Sequence, residues 1–418
     1  MSNFEHRKSK IRIKFTDSKG EALAFKTVKL KQTSHEFLFG CGAFDFLLAT
    51  SKENELGNVD FYQENIAPKK EFYEERVSKW LDLYNYGTLP FYWGGFEPTE
   101  GEPLTQSRMR AAEYMREHGA DVKGHPLCWH TACADWLMQY DNATILSKQL
   151  ERINREVGTF KGVIDKWDVI NEVVIMPVYD RYDNAITRIC KDLGRVRLVK
   201  EVFEAAHSAN PEATLLINDF NLSESYRILI DGCLCAGVPI SAIGIQTHQH
   251  QGYMGKEKLM DILDRYSKFG LPLHFTENTL VSGHIMPPEI VDLNDYQVDE
   301  WPSTPEGEER QMKEWKEMYE ILFEHPLVEA VTGWDFADGA WLNAPSGIIR
   351  KDNTTKPVYD MLKNKIHNEW TSEITVVTDE NGYAKTEGFR GEYEALCDNL
   401  KTKFTISKDV KETVLVMK

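Results

Sequence analysis

The sequence predicts an α/β protein: a (β/α)8 TIM barrel with a small β-sandwich built from the N- and C-terminal segments. Three observations predict it. Between residues 36 and 370, eight short apolar runs alternate with stretches of helical spacing, the pattern of a closed parallel barrel. Nearly every run stops on polar or aromatic residues, as strands do when their C-terminal tips share one working face. In residues 1–35 and 371–418 the pattern changes to short alternating segments separated by turn signals.

At the N-terminal end, Ile11, Ile13 and Phe15 alternate with polar residues, Asp17-Ser18-Lys19-Gly20 supplies a turn, and Val28, Leu30 and Gln32 alternate again. At the other end Ile374-Thr375-Val376-Val377 leads into the turn Thr378-Asp379-Glu380-Asn381-Gly382, and Gly391–Leu396, Phe404–Ile406 and Thr413–Val416 follow. These read as strands joined by hairpin turns. An isolated two-stranded hairpin is marginal in water, so the N-terminal pair is expected to pack on the C-terminal strands in one sandwich.

Between the ends, the strand candidates are Phe37–Gly40, Tyr86–Phe91, Lys123–His130, the stretch from Val163 to Glu172, Thr214–Asp219, Ala242–His248, the stretch from Leu273 to Glu277, and Val328–Asp335. Helical spacing separates them: Leu259, Ile262, Leu263, Tyr266 and Phe269 form one stripe, stopped by Gly270, and Met312, Trp315, Tyr319 and Leu322 form another. Such stripes are core rather than a cofactor box. A doubly wound sheet would place a glycine-rich phosphate loop after its first strand; here Cys41-Gly42-Ala43-Phe44-Asp45 stands instead.

The totals narrow the function. A chain of 418 residues with 42% hydrophobic content has room for one large barrel and its core. Its 49 basic and 66 acidic residues leave a net charge of −17, which argues against nucleic acid and against an anionic membrane surface as partners. No cofactor motif is present. The seven cysteines fall at irregular spacings without a Cys-x-x-Cys pair, so reduced thiols are expected. The first ten residues hold no apolar core for a leader. A complete chain is therefore expected in the cytoplasm, and a chain whose leader has been removed outside it. No run approaches a membrane span in length.

The chemistry centres on two strand tips. Trp167-Asp168-Val169-Ile170-Asn171-Glu172 is an apolar run ending on a carboxylate, and Leu273-His274-Phe275-Thr276-Glu277-Asn278 is a second. Half-desolvated carboxyls have raised pKa values, which a general acid at neutral pH needs. One such tip alone reads more readily as an ordinary solvated strand end. Two, on strands lying across a barrel mouth, can flank a scissile bond as glycoside hydrolysis requires.

These residues resemble glycoside hydrolase family 10, retaining endo-1,4-β-xylanases built on a TIM barrel. The resemblance covers roughly residues 35–368. It rests on Gly124-His125-Pro126-Leu127-Cys128-Trp129-His130 with Trp136 following, on the Trp167–Glu172 stretch, on Ile217-Asn218-Asp219-Phe220-Asn221, on Gln246-Thr247-His248, on Thr276-Glu277, and on Trp334 with Trp341. It implies Glu172 as acid/base and Glu277 as nucleophile. It further implies Asn171 at the sugar 2-OH, His130 and Gln246 lining the sugar site, His248 orienting Glu277, and Trp136, Trp334 and Trp341 as aromatic walls. The substrate is then a carbohydrate or glycoside, and no cofactor or metal is called for. The chain ends resemble the two halves of an immunoglobulin-like or transthyretin-like module that flanks some members.

The departures bear on substrate. Where the family's second strand carries a Glu-Asn-x-x-Lys-Trp run, alignment on Trp93 places Thr88, Leu89 and Tyr92. The polar grip on a second glycone sugar is therefore expected to be largely lost. Asn278-Thr279 stands where the family has Leu-Asp, leaving His248 a weaker, uncharged support. The connection from about Val281 to Glu306 is long and contains Pro287-Pro288, Trp301 and Pro302, as a lid or binding loop does. The expected activity is a retaining β-glycosidase acting on a short xyloside, an oligosaccharide or a glycoside with an apolar aglycone. The alternatives are a β-glucosidase- or β-galactosidase-like activity of the same clan, a carbohydrate-binding protein without turnover, and a metal-dependent barrel hydrolase using His248-Gln249-His250.

Overall fold

The computed structural model describes residues 4–52 and 70–418. Met1–Asn3, part of the stretch read for a leader, and residues 53–69, inside the span read as barrel, lie outside the described residues. The chain opens with β1 (Lys8–Thr16) and β2 (Thr27–His35) and then enters the barrel. Among the described residues eight parallel strands close the ring: β3 (Leu38–Gly42), β4 (Tyr86–Pro90), β5 (Asp121–His125), β6 (Lys166–Asn171), β7 (Thr214–Asp219), β8 (Ala242–Gln249), β9 (Leu273–Leu280) and β10 (Val328–Gly333), with β10 returning to β3. The strands are buried on both faces, the barrel interior on one side and the helices on the other, so they read as continuous apolar runs. No helix among the described residues is long and apolar enough to cross a membrane.

One strand differs from the sequence reading in a way that matters for the site. The third barrel strand was expected to run over Lys123–His130. Instead β5 stops at His125, because Pro126 has no N–H with which to continue the ladder. Leu127 and Cys128 still reach the carbonyls of Asp168 and Val169 at 2.9 and 3.1 Å, outside the regular strand. The tip residue is therefore His125, and His130 lies beyond a turn.

The chain ends build a sandwich from β11 (Glu373–Val377), β12 (Tyr383–Phe389), β13 (Gly391–Cys397), β14 (Leu400–Ile406) and β15 (Glu412–Val416) together with β1 and β2. One sheet runs β12–β1–β15, the other β11–β2–β13–β14. Ile11, Ile13 and Phe15 of the first face Val28, Leu30, Tyr393, Ala395 and Phe404 of the second. Of the expected hairpins, β13 and β14 form one, but β1 and β2 lie in opposite sheets, and so do β11 and β12. The Asp17–Gly20 turn folds the chain back on β1 through an antiparallel Thr16–Ala22 bridge before it crosses to β2, and the Asp379–Gly382 turn lies where the chain passes from β11 to β12; each turn is held by backbone amides donating to the Asp side chain. Sequence reasoning also passed over β12. Its residues Tyr-Ala-Lys-Thr-Glu-Gly-Phe lack a β-branched alternation, and its strand form is imposed by pairing with β1 from Lys14↔Tyr383 to Lys8↔Phe389.

Arg7 seats the sandwich on the barrel floor. Its guanidinium donates to the carbonyls of Phe323, His325 and Val328 and lies over the Phe37 ring. Trp370, entering the C-terminal strands, stacks on Phe323 at 4.3 Å.

Candidate active site

Glu172 follows β6 directly, with a left-handed backbone (φ 56°) that is uncommon for a residue with a Cβ. Its amide donates to the Asn218 carbonyl at 2.8 Å, which holds the turn and aims the carboxylate over the mouth. Oε2 accepts the Trp129 indole N–H at 2.9 Å; Oε1 accepts from Asn171 at 3.3 Å and from Gln246 at 3.5 Å. None of these partners carries charge. Burial, and after it the charge of Glu277, push the Glu172 carboxyl up to about 8.

Glu277 sits within β9 in different company. Oε1 accepts from the Asn218 amide at 2.7 Å, Oε2 lies 3.1 Å from His248 Nε2, and His125 Nδ1 stands 3.9 Å away. Burial alone would raise this carboxyl. The charge of His125, the hydrogen bond and charge of His248, and the charge of Lys123 overcome burial and hold it below the ordinary glutamate value. Lys123 and His125 reach the fully buried Asp168 at 2.6 and 2.7 Å, so the barrel interior carries a chain of charge leading up to Glu277.

One amide network ties the two glutamates together. Asn218 Nδ2 donates both to Glu277 and to Asn171 Oδ1 (2.8 Å), its own oxygen accepts from Thr276 at 2.7 Å, and Gln246 donates to Asn171 at 2.9 Å. A Cβ at position 244 would collide with the Asn218 side chain, so Gly244 on the neighbouring strand makes the space this amide occupies.

The aromatic residues divide. Trp334 lies 5.2 Å from the His125 ring and 5.9 Å from His248, and Trp341 lies 4.7 Å from His248. Tyr92 lies 5.7 Å from His125 and 5.4 Å from Trp129. These three surround the glutamates' partners. Trp136 does not join them: it packs on Trp93 at 5.6 Å and donates to the Glu97 carbonyl. His130 is also placed otherwise than expected. The turn after His125 puts it behind Trp129, against Tyr179 at 4.4 Å, and burial pushes its imidazole down to about 4. Of His125 and His130, the one that stands near Glu277, together with His248, is His125. Leu89 is fully enclosed in the barrel core and offers no surface to a ligand. Thr279 reaches His248 Nδ1 at a long 3.5 Å and His250 Nδ1 at 3.3 Å, the weak uncharged support its side chain allows.

Three contributors escaped sequence reasoning: His125, Trp129 and Asn218. All lie inside the motifs that carried the resemblance. His125 and Trp129 were hidden inside the overlong third strand, and Asn218 because an amide at a strand tip has no signature of its own.

Residues 92–365 match the family model for glycosyl hydrolase family 10. The chain belongs to this family. It is 30% identical over 266 residues to a beta-1,4-xylanase of Dictyoglomus thermophilum, covering 61% of this chain and 70% of that one. To endo-1,4-beta-xylanase B of Paenibacillus barcinonensis it is 27% identical, over 59% of this chain and 75% of the relative. A solved GH10 structure from Paenibacillus barcinonensis superimposes with a TM-score of 0.63 at 20% identity, covering 79% of this chain and 95% of the other, and shares the barrel fold. The protein is thus a glycosidase of xylanase type, among the enzymes of polysaccharide degradation. The family match begins at Tyr92, just past β4, the strand on which the sequence departs from the family pattern.

Proposed function

We propose that the protein is a retaining β-glycosidase in which Glu277 is the nucleophile and Glu172 the acid/base, acting on short xylosides, oligosaccharides or glycosides with an apolar aglycone. The observation that carries the assignment is the divergence of two carboxyls joined by one hydrogen-bond network: Glu172 is raised to about 8 and Glu277 is lowered. At neutral pH one holds a proton and the other is an anion, the division of labour that double displacement needs.

In the first step a Glu277 oxygen bonds to the anomeric carbon as the glycosidic bond breaks, and Glu172 gives its proton to the departing oxygen. The product is a covalent glycosyl ester on Glu277 and a free aglycone. Esterification removes the charge on Glu277, the second cause of Glu172's elevation, so Glu172 becomes easier to deprotonate as its role changes. It is now a carboxylate and accepts a proton from water while the water oxygen attacks the anomeric carbon and releases Glu277. Asn171, fixed by Asn218 and Gln246, is placed to meet the sugar 2-OH. Trp334, Trp341 and Tyr92 supply the walls. His248 and His125 keep Glu277 ionised.

The preference for a short glycone rests on β4. Thr88 and Leu89 are both fully buried, so of the three substituted positions Tyr92 is the one whose ring stands beside His125 and Trp129. Each unpartnered sugar hydroxyl costs about 1–3 kcal/mol. Comparing kcat/KM on xylan, aryl xylobioside and aryl xyloside tests this. The proposal expects the xyloside to compete with the xylobioside. Fast random cleavage of xylan with a strong xylobioside preference contradicts it.

A further inference from the structure

The connection after β9 is not an open loop. Val281, Met286 and Trp301 bury together with Ala344 in a small core of their own, and the Trp301 indole donates to the His284 carbonyl at 2.9 Å. From the neighbouring connection after β8, the Gln251 amide donates to the carbonyls of Pro287 and Ile290 at 3.0 and 2.7 Å. This arm is therefore braced from inside and from beside.

The connection after Glu172 is braced as well. Tyr179 rests on His130, Tyr182 lies 5.2 Å from Tyr179, and the Val174 amide donates to buried Asp219 at 3.0 Å. Between the two arms stands Arg181. Its Nε lies 2.9 Å from an Asp292 carboxylate oxygen, and Nη2 donates to Asp295 at 2.6 Å. In the ring, β7 and β8 separate β6 from β9. A bridge from the arm after Glu172 to the arm after Glu277 therefore spans the mouth above those two strands. Tyr182 and Phe220, on the connections after adjacent strands β6 and β7, each remain 45% exposed, and Ile285 on the far arm 42%.

We infer that Arg181, by holding Asp292 and Asp295, closes the leaving-group side of the cleft into a short chamber rimmed by apolar side chains, so that the enzyme releases compact aglycones rather than lengths of polymer. The inference rests on the assignment of Glu172 as the group that protonates the leaving oxygen, because that places the arm following Glu172 beside the leaving group. A sugar chain continuing past the scissile bond in that direction meets the bridge and has to open it. A compact leaving group with an apolar face fits beneath it.

The ion pairs are exposed and therefore weak and salt-sensitive, which makes the bridge testable without disturbing the barrel. Arg181→Glu reverses its charge; Arg181→Ala removes it. The kcat/KM ratio of soluble xylan to aryl β-xyloside is measured for the wild type and both variants, at low salt and in 1 M NaCl, together with amide hydrogen exchange across residues 281–300. The expected result is a rise in the ratio of roughly five- to tenfold in Arg181→Glu, a smaller rise in Arg181→Ala, a matching rise for the wild type in high salt, and faster exchange in 281–300. A ratio unchanged within twofold in both variants overturns the inference, even if exchange quickens. A protein that cleaves no β-glycoside contradicts the proposed function instead, and in that case unchanged exchange in Arg181→Glu overturns the bridge on its own.

Discussion

Glu172 and Glu277 share one network yet live in opposite surroundings. Around Glu172 stand an indole and two amides, donors without charge. Around Glu277 stand two imidazoles, with a lysine further down the barrel. Both carboxyls are desolvated, so burial alone would raise both. The difference teaches that the neighbouring side chains, rather than depth, set the two carboxyls apart. Amides can hold a carboxyl in place without deciding its charge. Imidazoles can do both.

The comparison breaks most completely at Glu277. Glu277→Ala is expected to abolish turnover on every glycoside, with azide yielding an α-glycosyl azide or nothing. Glu172→Ala removes the proposed general acid and base and should cost roughly 10²–10⁴-fold on a natural glycoside. It should spare the first step for a leaving group that needs no proton, and azide should then give the β-glycosyl azide. Steady-state rates and product stereochemistry check both. Wild-type rates in both variants would end the assignment.

Smaller changes sharpen the contrast. Asn218→Ala removes an amide shared by Glu277 and Asn171. A hydrogen bond to a charged group contributes about 1.5–3 kcal/mol, so kcat is expected to fall roughly 10- to 100-fold without loss of fold, as single-turnover kinetics and circular dichroism would show. Trp129→Phe takes away a donor that favours the ionised form of Glu172. Its carboxyl should then rise further, and the alkaline limb of kcat/KM should move to higher pH. Movement to lower pH would contradict the role given to Trp129.

The smallest effect on chemistry is expected from the far end of the molecule. Ending the chain after residue 370 removes every sheet partner of β1 and β2 and bares Ile11, Ile13, Phe15, Val28 and Leu30. Burying one such side chain contributes about 1.5–3 kcal/mol, so solubility and Tm should drop well before the pH profile changes. A truncated protein as soluble and stable as the whole would show that the ends are independent of one another.

The barrel and both glutamates were legible in the sequence because strands buried on two faces leave long apolar runs whose polar tips stand out. What escaped was set by backbone details with no periodic signal. Pro126 ended β5 five residues before the apolar pattern did, which exchanged His125 for His130. β12 is a strand because β1 needs a partner, and its own residues do not announce it. The Asp-x-x-Gly turns read as hairpins because a turn's residues record its tightness and not the sheet to which the chain returns. The Arg181 bridge joins residues more than a hundred positions apart, and no local pattern marks it.

The central claim is that the charge on Glu277 helps keep Glu172 protonated. Titrating the Glu172 side-chain carboxyl by carbon-detected NMR, in the wild type and in Glu277→Gln, tests it most directly. With a proton needed on Glu172 and none on Glu277, activity should fall as pH rises through about 8 and again as pH drops below the ordinary glutamate range. The account predicts a Glu172 midpoint near 8 in the wild type and a clearly lower one in Glu277→Gln, still above the ordinary value because burial remains. A midpoint in the ordinary carboxylate range in the wild type, or one that does not fall in Glu277→Gln, would contradict it.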